Sequence, residues 1–341
     1  MIRELVKSGK FRLKVFVSQV NRDHFAAIEG IELVECPVEG NNRATRVLYE
    51  QLRFQSLAKK EGCDLLFFPG YLGPLRKTMP FVLTVHDMQF RDIPEGFSPL
   101  FRGIYDLIVP GALRNADRVL TVSEFSKTRV CHHVDIPPDK VLVSHLSGRD
   151  SAAADEVLEL SSGDREILDT VENDDRPYLI SVSSSFLHKN IDGLADAFKR
   201  LNTEGKYRLL LVGVERDDDD DSIISTGYVS TELRDALYRG AVGYVFASRY
   251  EGFGLPLLEA MAMGVPVVSS NAGSLPEVGG DACLYFDPDQ PEEMIEAMRY
   301  LLLDKDLRKQ LREAGKERVK KFSWASTAAT TERAFTEALR L

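Results

Sequence analysis

The chain has 341 residues, 44% of them hydrophobic, a formal net charge of −10 and four cysteines without Cys-x-x-Cys spacing. That length suits two domains of about 150 residues each rather than one small core. The acidic balance disfavours nucleic acid as a partner, no run approaches the roughly 18 apolar residues of a membrane span, and Cys36, Cys63, Cys131 and Cys283 suggest neither a zinc site nor a disulfide framework.

No signal-peptide pattern is read at the amino end, so the cytosol is the expected compartment. The charge is unevenly spread. Residues 1–150 carry 21 Lys and Arg against 18 Asp and Glu, whereas the remainder carries 22 against 35. A first half at +3 is compatible with a seat at an anionic membrane face or beside a phosphorylated acceptor.

In chain order, Met1–Ser8 reads as a helix, with Ile2, Leu5 and Val6 on one face and Gly9 as its stop. A doubly wound domain would open instead with a strand and a phosphate-facing loop, so the first domain is expected to lack its opening strand. Strands are expected at Phe11–Ser18, Cys63–Phe68, Phe81–Val85, Arg118–Val122 and Lys140–His145, with helices at about Ala44–Lys60, Pro99–Asn115 and Glu124–His132 between them. Ser123 is placed to cap the last helix. This alternation implies a parallel sheet covered on both faces.

From Gly148 to Asp175 the composition turns to Ser, Ala, Asp and Glu, read as a connection with a surface helix around Asp155–Leu160. The alternation restarts at Tyr178–Val182. Asn190 is expected to cap a helix bearing Ile191, Leu194, Ala195, Phe198 and Leu201, and strands follow at Arg208–Val212, Tyr244–Ala247 and Val265–Ser269. A helix near Glu232–Tyr238 lies between the first two of these strands, and the stripe Met294, Ile295, Met298, Leu301 and Leu302 reads as core. A final helix runs from about Ser323 to Leu339. The expected division is 1–150, a linker at 151–176, a second domain at 177–322 and a terminal helix at 323–341.

The stretch Ser248–Pro266 carries the most chemistry. Gly252 and Gly254 allow a ligand close to the main chain, and Pro256 suits the first helical position. A helix N-terminus there would offer unpaired N–H groups and a positive dipole end to a phosphate. Glu251 precedes that terminus and Glu259 falls in its first turn, so two acceptor-only groups flank an anion site. Glu259 could equally complement the helix dipole. Gly252-x-Gly254-x-x-Leu257 lacks the third glycine of a dinucleotide fingerprint, which argues against a nicotinamide dehydrogenase. A second candidate is Ser183–Asn190, between a buried strand and a helix start, where open α/β sheets bind ligands; Lys189 there suits a pyrophosphate leaving group. The run Asp217–Asp221 reads as a solvated loop of mutually repelling carboxylates, and no metal site is expected.

Glu251-Gly-Phe-Gly-Leu-Pro256 with the following Glu259 resembles the signature of glycosyltransferase family 4, retaining enzymes of the GT-B fold. Lys189-Asn190, Gly227-Tyr228-Val229, His86-Asp87 with Pro94-Glu95 and Phe97-Ser98-Pro99, and the stretch Ala116–Lys127 match further places in the family. The resemblance implies two Rossmann-like α/β domains whose parallel sheets face across a cleft, the terminal helix returning toward the first. It implies an enzyme that transfers a sugar from a nucleotide donor to an acceptor hydroxyl in polysaccharide or glycan synthesis.

On that resemblance His86, Glu251 and Lys189 are the catalytic set, and the donor is held by Ser183, Lys189, Tyr228, Val229, Glu251, Gly252, Phe253, Gly254, Leu255 and Glu259. The nucleotide sugar is substrate, and neither cofactor nor metal is expected. Lys189 would grip the donor phosphates with His188 as a substitute for an upstream Arg, Tyr228 and Val229 would meet the base through main chain, and Glu259 would hold ribose. His86 would face the sugar, with Asp87 either orienting it or capping the next turn. Ser274–Glu277 with Gly279-Gly280 would close the pocket, Glu277 either capping or binding. The His-Asp and Pro94–Pro99 details lean toward bacterial mannosyltransferases, so GDP-mannose is the first donor expected and a UDP-sugar the next. The acceptor would be a glycan or a lipid-linked one, and a nucleotide-sugar-binding protein with little transfer, for want of the opening strand and its Gly-rich loop, is the alternative.

Overall fold

The computed structural model describes residues 1–38, 43–148 and 160–340. The helix expected around Asp155–Leu160 lies outside the described residues but for Leu160, as does the start of the expected linker. The chain divides into two compact units, Met1–Leu146 with Ser323–Leu341, and Ser147–Phe322.

In the first unit, β1 (Leu13–Val17) pairs in parallel with β2 (Ile31–Glu35), and β3 (Leu66–Phe68), β4 (Phe81–Thr84), β5 (Arg118–Thr121) and β6 (Val141–Val143) form a parallel sheet in that order. The helix Ile2–Ser8 precedes β1 and is closed by Gly9 in the left-handed region at φ 66°. Helix Pro99–Asn115 is capped by Ser98 and helix Glu124–His133 by Ser123, each hydroxyl accepting a first-turn N–H. On one face of the sheet Phe81, Leu83, Val109, Ala112 and Leu113 are fully buried together. On the other, Phe335, Ala334 and Ala338 of the helix Trp324–Arg340 cover Val82 and Leu120. Lys10 and Arg118 fasten that helix through Glu332 and Glu337, each at 2.7 Å.

The second unit carries β7 (Tyr178–Val182), β8 (Arg208–Val212), β9 (Ile223–Gly227), β10 (Gly243–Phe246), β11 (Val267–Ser270) and β12 (Cys283–Phe286), all parallel, in the order β12-β11-β10-β7-β8-β9. Its core joins Leu194, Phe198, Leu209, Leu211, Val245 and Val268 to Met294, Met298 and Leu301 of the helix Pro291–Leu303. Both units are thus Rossmann-like, and together they make a GT-B fold.

Three strands escaped the sequence reading: β2, β9 and β12. All lie at sheet edges, where one flank is open and a short, half-polar sequence suffices. The helix expected over Ala44–Lys60 is two, Arg43–Leu52 and Phe54–Lys60, broken at Arg53 with φ −121°. The break lets Phe54 turn between Phe16 and Phe68, at ring separations of 5.0 and 5.7 Å. Within the stretch expected as a connection, Ser162–Glu172 forms a helix capped by Ser161. The almost fully buried Arg208 bonds the carbonyls of Val171, Asp174 and Arg176 at its end.

Asn190 does not cap its helix through its side chain. It adopts φ 56°, one of two non-glycine residues with positive φ among those described. Its amide is turned to Pro288 and Arg249 instead.

Candidate functional site

From β7 the chain runs outward to β8 and β9, then crosses back to β10 on the other side of β7. The carboxyl ends of β7 and β10 therefore flank the point where strand order reverses, the ordinary seat of ligands in open α/β sheets. Ser183–Asn190 leaves one strand and Ser248–Gly254 leaves the other.

These two loops are stitched together. The Arg249 N–H donates to the His188 carbonyl at 2.7 Å. The Arg249 guanidinium reaches Asn190 Oδ1 at 2.5 Å and Asp289 at 2.8 Å. Lys189 Nζ donates to Glu251 Oε1 at 2.5 Å, both side chains largely covered, and the buried Ser248 hydroxyl donates to that same oxygen at 2.7 Å. Among the described residues Glu251 Oε2 has no hydrogen-bond partner. The carboxylate is thus gripped on one oxygen and open on the other, while an ammonium with three donors spends one of them here.

The Glu251 main chain is fixed just as closely. Its carbonyl accepts from Ser274 N at 3.1 Å and from Ser274 Oγ at 2.9 Å. Gly273, at φ 61°, brings this segment in; a Cβ there would lie 2.7 Å from the Glu251 carbonyl oxygen. The short helix expected around Ser274–Glu277 is Leu275–Gly279, and its role is to hold Glu251 through Ser274. The Glu277 carbonyl is taken by Arg318.

Gly254, at φ 98°, turns the chain into the helix Leu255–Ala262. That helix starts one residue earlier than expected, so Pro256 is its second residue and Glu259 its fifth, beyond the first turn. Dipole complementation, which fades past the first turn, does not account for Glu259. Its carboxylate stands 3.6 Å from Arg234. Among the described residues the N–H groups of Gly254 and Leu255 have no hydrogen-bond partner, leaving donors at a helix N-terminus for an anion. The Phe253 ring is core, 4% exposed and 5.8 Å from Phe322, so its side chain is not offered to a ligand, and Gly252 is buried beside it in the chain.

Ser183 follows β7 directly, with its N–H on the Val212 carbonyl and its own carbonyl pressed on Gly213, whose φ of 82° permits the approach. Tyr228 is 86% exposed after β9, and Val229 follows it before the capping Ser230. These two residues stand about 10 Å along the sheet from β7, two strand spacings away. The aspartate run is organised by pairing: Asp218 takes Lys199 at 2.6 Å and Arg216 at 3.0 Å, and Asp220 accepts from Ser222. Among the described residues no three His, Cys, Asp or Glu gather as metal ligands would.

His188 does not serve as a substitute cation. Burial, and then the neighbouring Lys189, push its imidazole down to about 4, so it is neutral at pH 7. The sequence reading gave no role to Ser248, Arg249 or Gly273, and only the closeness of Ser248 and Arg249 to Glu251 in the chain hinted at two of them; Ser274 it named as part of the segment closing the pocket.

His86 belongs to the first unit, just past β4. Its Nε2 lies 3.0 Å from the Pro69 carbonyl. Asp87 does not orient it: the Asp87 carboxylate accepts from Tyr71 OH at 2.9 Å and from Gln89 N at 3.0 Å, capping the following turn. His133, one of two adjacent histidines, is paired with Asp92 at 2.6 Å.

Known proteins agree with this architecture. The family described as Glycosyltransferase Family 4 matches residues 1–145, and the one described as Glycosyl transferases group 1 matches residues 164–318. O-antigen chain mannosyltransferase B of Escherichia coli is 32% identical over 299 residues, which cover 83% of this chain and 77% of that protein. Among solved structures, sucrose-phosphate synthase of Thermosynechococcus elongatus superposes with a TM-score of 0.73 at 18% identity, covering 98% of this chain and 91% of its own. The Anabaena HepE protein in complex with UDP and glucose gives 0.69 at 16% identity, covering 98% and 94%.

Proposed function

Since the chain belongs to the glycosyltransferase family 4 enzymes and is a glycosyltransferase, we propose that it moves mannose from GDP-mannose to a glycan or lipid-linked acceptor with retention, a UDP-sugar being the next donor to try. The observation that carries this reading is the Lys189–Glu251 pair at the switch point, with Glu251 Oε2 open and, a few residues on in the chain, the Gly254 and Leu255 N–H groups without a partner among the described residues. A mannosyltransferase of Escherichia coli is among the relatives, which supports mannose as the sugar.

In this scheme the diphosphate rests on the helix N-terminus and on the two remaining Lys189 donors, and Glu251 Oε2 accepts from a sugar hydroxyl. Glu259 accepts from the ribose hydroxyls, and the Tyr228 and Val229 main chain meets the base. The bond between the anomeric carbon and the phosphate oxygen breaks with its electron pair going to the phosphate, whose charge Lys189 stabilises. The acceptor oxygen bonds to the same face of that carbon, and its proton passes to the departing phosphate. No step calls on a metal.

The test is direct. Purified protein is given GDP-mannose or UDP-glucose with candidate acceptors; release of GDP, with an α-linked product seen by NMR, is the expected outcome. Tight nucleotide binding with no release from any sugar nucleotide would leave the non-transferring binder as the better reading.

Association with an anionic lipid surface is part of the same proposal. Along helix Pro99–Asn115, Leu100, Ile104 and Leu107 recur on one face at 76%, 37% and 70% exposure. The Leu75 loop joins that helix through Asn115, and Gln51 joins the loop to the helix bearing the exposed Leu48 and Leu52. Arg53, Arg76 and Arg114 are exposed there and form no ion pair among the described residues. No helix among the described residues is long and apolar enough to cross a membrane.

A further inference from the structure

Three successive residues of the loop after β7 are gripped by the loop after β10. The Arg249 N–H donates to the His188 carbonyl at 2.7 Å, Glu251 accepts from the Lys189 ammonium at 2.5 Å, and the Arg249 guanidinium donates to Asn190 Oδ1 at 2.5 Å. Lys189 is therefore held at its tip by one residue and on both chain neighbours by another. The guanidinium is itself fixed. Its Nε donates to Asp289 Oδ1 at 2.8 Å, and the Asp289 N–H is bound by the Asp287 carboxylate in the turn that leads into the helix Pro291–Leu303.

What this grip holds is a backbone conformation. Asn190 sits at φ 56° and ψ 36° between the short 3-10 helix Leu187–Lys189 and the helix Ile191–Leu201. For an L residue the left-handed region lies about 1–2 kcal/mol above the right-handed one. Asparagine usually lowers that cost by bonding its side chain to backbone close by, but the buried Asn190 amide caps no helix and is spent on two distant segments. Its oxygen is on Arg249, and its nitrogen reaches the Pro288 carbonyl at 3.4 Å, near the limit of a hydrogen bond. Gly193 leaves the room for this, since a Cβ there would lie 2.4 Å from Asn190 Oδ1. Of the two contacts the charged one is the stronger, so among side chains the turn rests chiefly on Arg249. Main-chain bonds from the Asn190 N–H to Leu187 at 3.2 Å and from the Leu194 N–H to the Asn190 carbonyl at 3.0 Å close the two sides. They limit what one side chain contributes. The loop has no second cation to replace a displaced Lys189, because His188 is neutral at pH 7.

We propose that Arg249 is a positioning residue for Lys189: by holding Asn190 in the left-handed turn through its side chain, it sets the direction in which the lysine leaves the loop and keeps the ammonium on Glu251, ready for a diphosphate. Arg249 acts on the bound group only through Lys189. The substrate named here rests on the transferase reading; the geometry rests on hydrogen bonds within the second unit alone.

The test is a double-mutant cycle in the full chain, with Arg249→Ala and Arg249→Lys set against Asn190→Ala and Asn190→Gly, read by binding of inorganic pyrophosphate and by kcat/KM. Arg249→Ala and Asn190→Ala each weaken pyrophosphate about tenfold, the measure of one hydrogen bond to a charged group. Asn190→Gly, which enters the left-handed region without a side chain to hold it there, loses about twofold. Adding Arg249→Ala to it costs little more, because both changes act on one turn. Arg249→Lys stays close to Arg249→Ala, since an ammonium lacks the planar fork that spans Asn190 and Asp289. A crystal structure of Arg249→Ala shows Lys189 Nζ out of hydrogen-bond reach of Glu251. Full rescue by Arg249→Lys, or a tenfold loss from Arg249→Ala that persists beside Asn190→Gly, means that the guanidinium meets the phosphate itself and overturns the proposal. Wild-type pyrophosphate binding in Arg249→Ala, or an intact Lys189–Glu251 contact in its crystal structure, overturns it as well. Should the wild type release no nucleotide from any sugar donor, the function reading fails while the crystal structure still decides the positioning claim.

Discussion

The loop pair of the second unit and the loop pair of the first solve the same problem in opposite ways. Around Glu251 the functional groups hold each other: Lys189, Ser248 and Ser274 all bond to that residue, and glycines at 254 and 273 supply the turns without strain. Around His86 the functional group is held by its backbone neighbours, and the ring packed beside it belongs to Tyr71, whose backbone sits at φ 38°. The charged partners of the second unit neutralise one another, whereas the imidazole of the first is set by a single contact to a carbonyl. Changes in the second unit should therefore reach nucleotide binding and the chemical step together, while changes in the first should spare the nucleotide.

The largest expected effect is Glu251→Ala. It leaves the Lys189 ammonium without its carboxylate and removes the open Oε2, so kcat/KM should fall by about 100- to 1,000-fold, the cost of losing a preorganised polar group. Steady-state kinetics with a fixed donor check it, and a loss below fivefold would break the contrast at its centre. Lys189→Ala comes next, expected to lower kcat about 100-fold and to weaken GDP as well, since a leaving diphosphate loses its cation.

Glu259→Ala should raise the nucleotide dissociation constant about tenfold, the worth of a charge-assisted hydrogen bond, while leaving binding of inorganic pyrophosphate unchanged. Thermal shift reads this directly, because a ligand at 100 times its dissociation constant stabilises by about 2.7 kcal/mol. An unchanged shift in the variant removes Glu259 from the ribose. Gly273→Ala puts a Cβ against the Glu251 main chain at a positive φ and should cost about 1–3 kcal/mol of stability. Activity should drop with it even at temperatures where the variant is folded.

The smallest effect is a pH dependence. His188 ionises near 4 in the folded protein against an ordinary 6.5, so the unfolded chain binds the proton more readily. Its contribution to stability is whole above pH 6.5 and is lost as pH falls toward 4. His188→Asn should flatten that part of the melting-temperature profile relative to wild type. Sedimentation with vesicles tests the lipid proposal separately: phosphatidylglycerol vesicles should bring the chain down at low salt, phosphatidylcholine should not, and Leu107→Asp with Arg114→Glu should abolish the difference.

Much of this was legible in the chain itself. The buried strands β4, β5, β7, β8 and β10 announce themselves as apolar runs, and the Glu251–Glu259 stretch, Lys189 and His86 stand out by residue type beside turn glycines and strand ends. Those signals are local, because burial on both faces and a sharp turn each leave a mark within a few residues. Edge strands leave a fainter mark, and β2, β9 and β12 were lost for that reason.

What the tertiary structure decided was pairing. That Lys189 meets Glu251 across 62 positions, that Ser274 fixes Glu251 from 23 positions away, and that Tyr71 bonds Asp87 across 16 follow from which strands are neighbours in the sheets. A sequence lists donors and acceptors; hydrogen bonds act only within about 3 Å, and strand order alone brings distant loops that close.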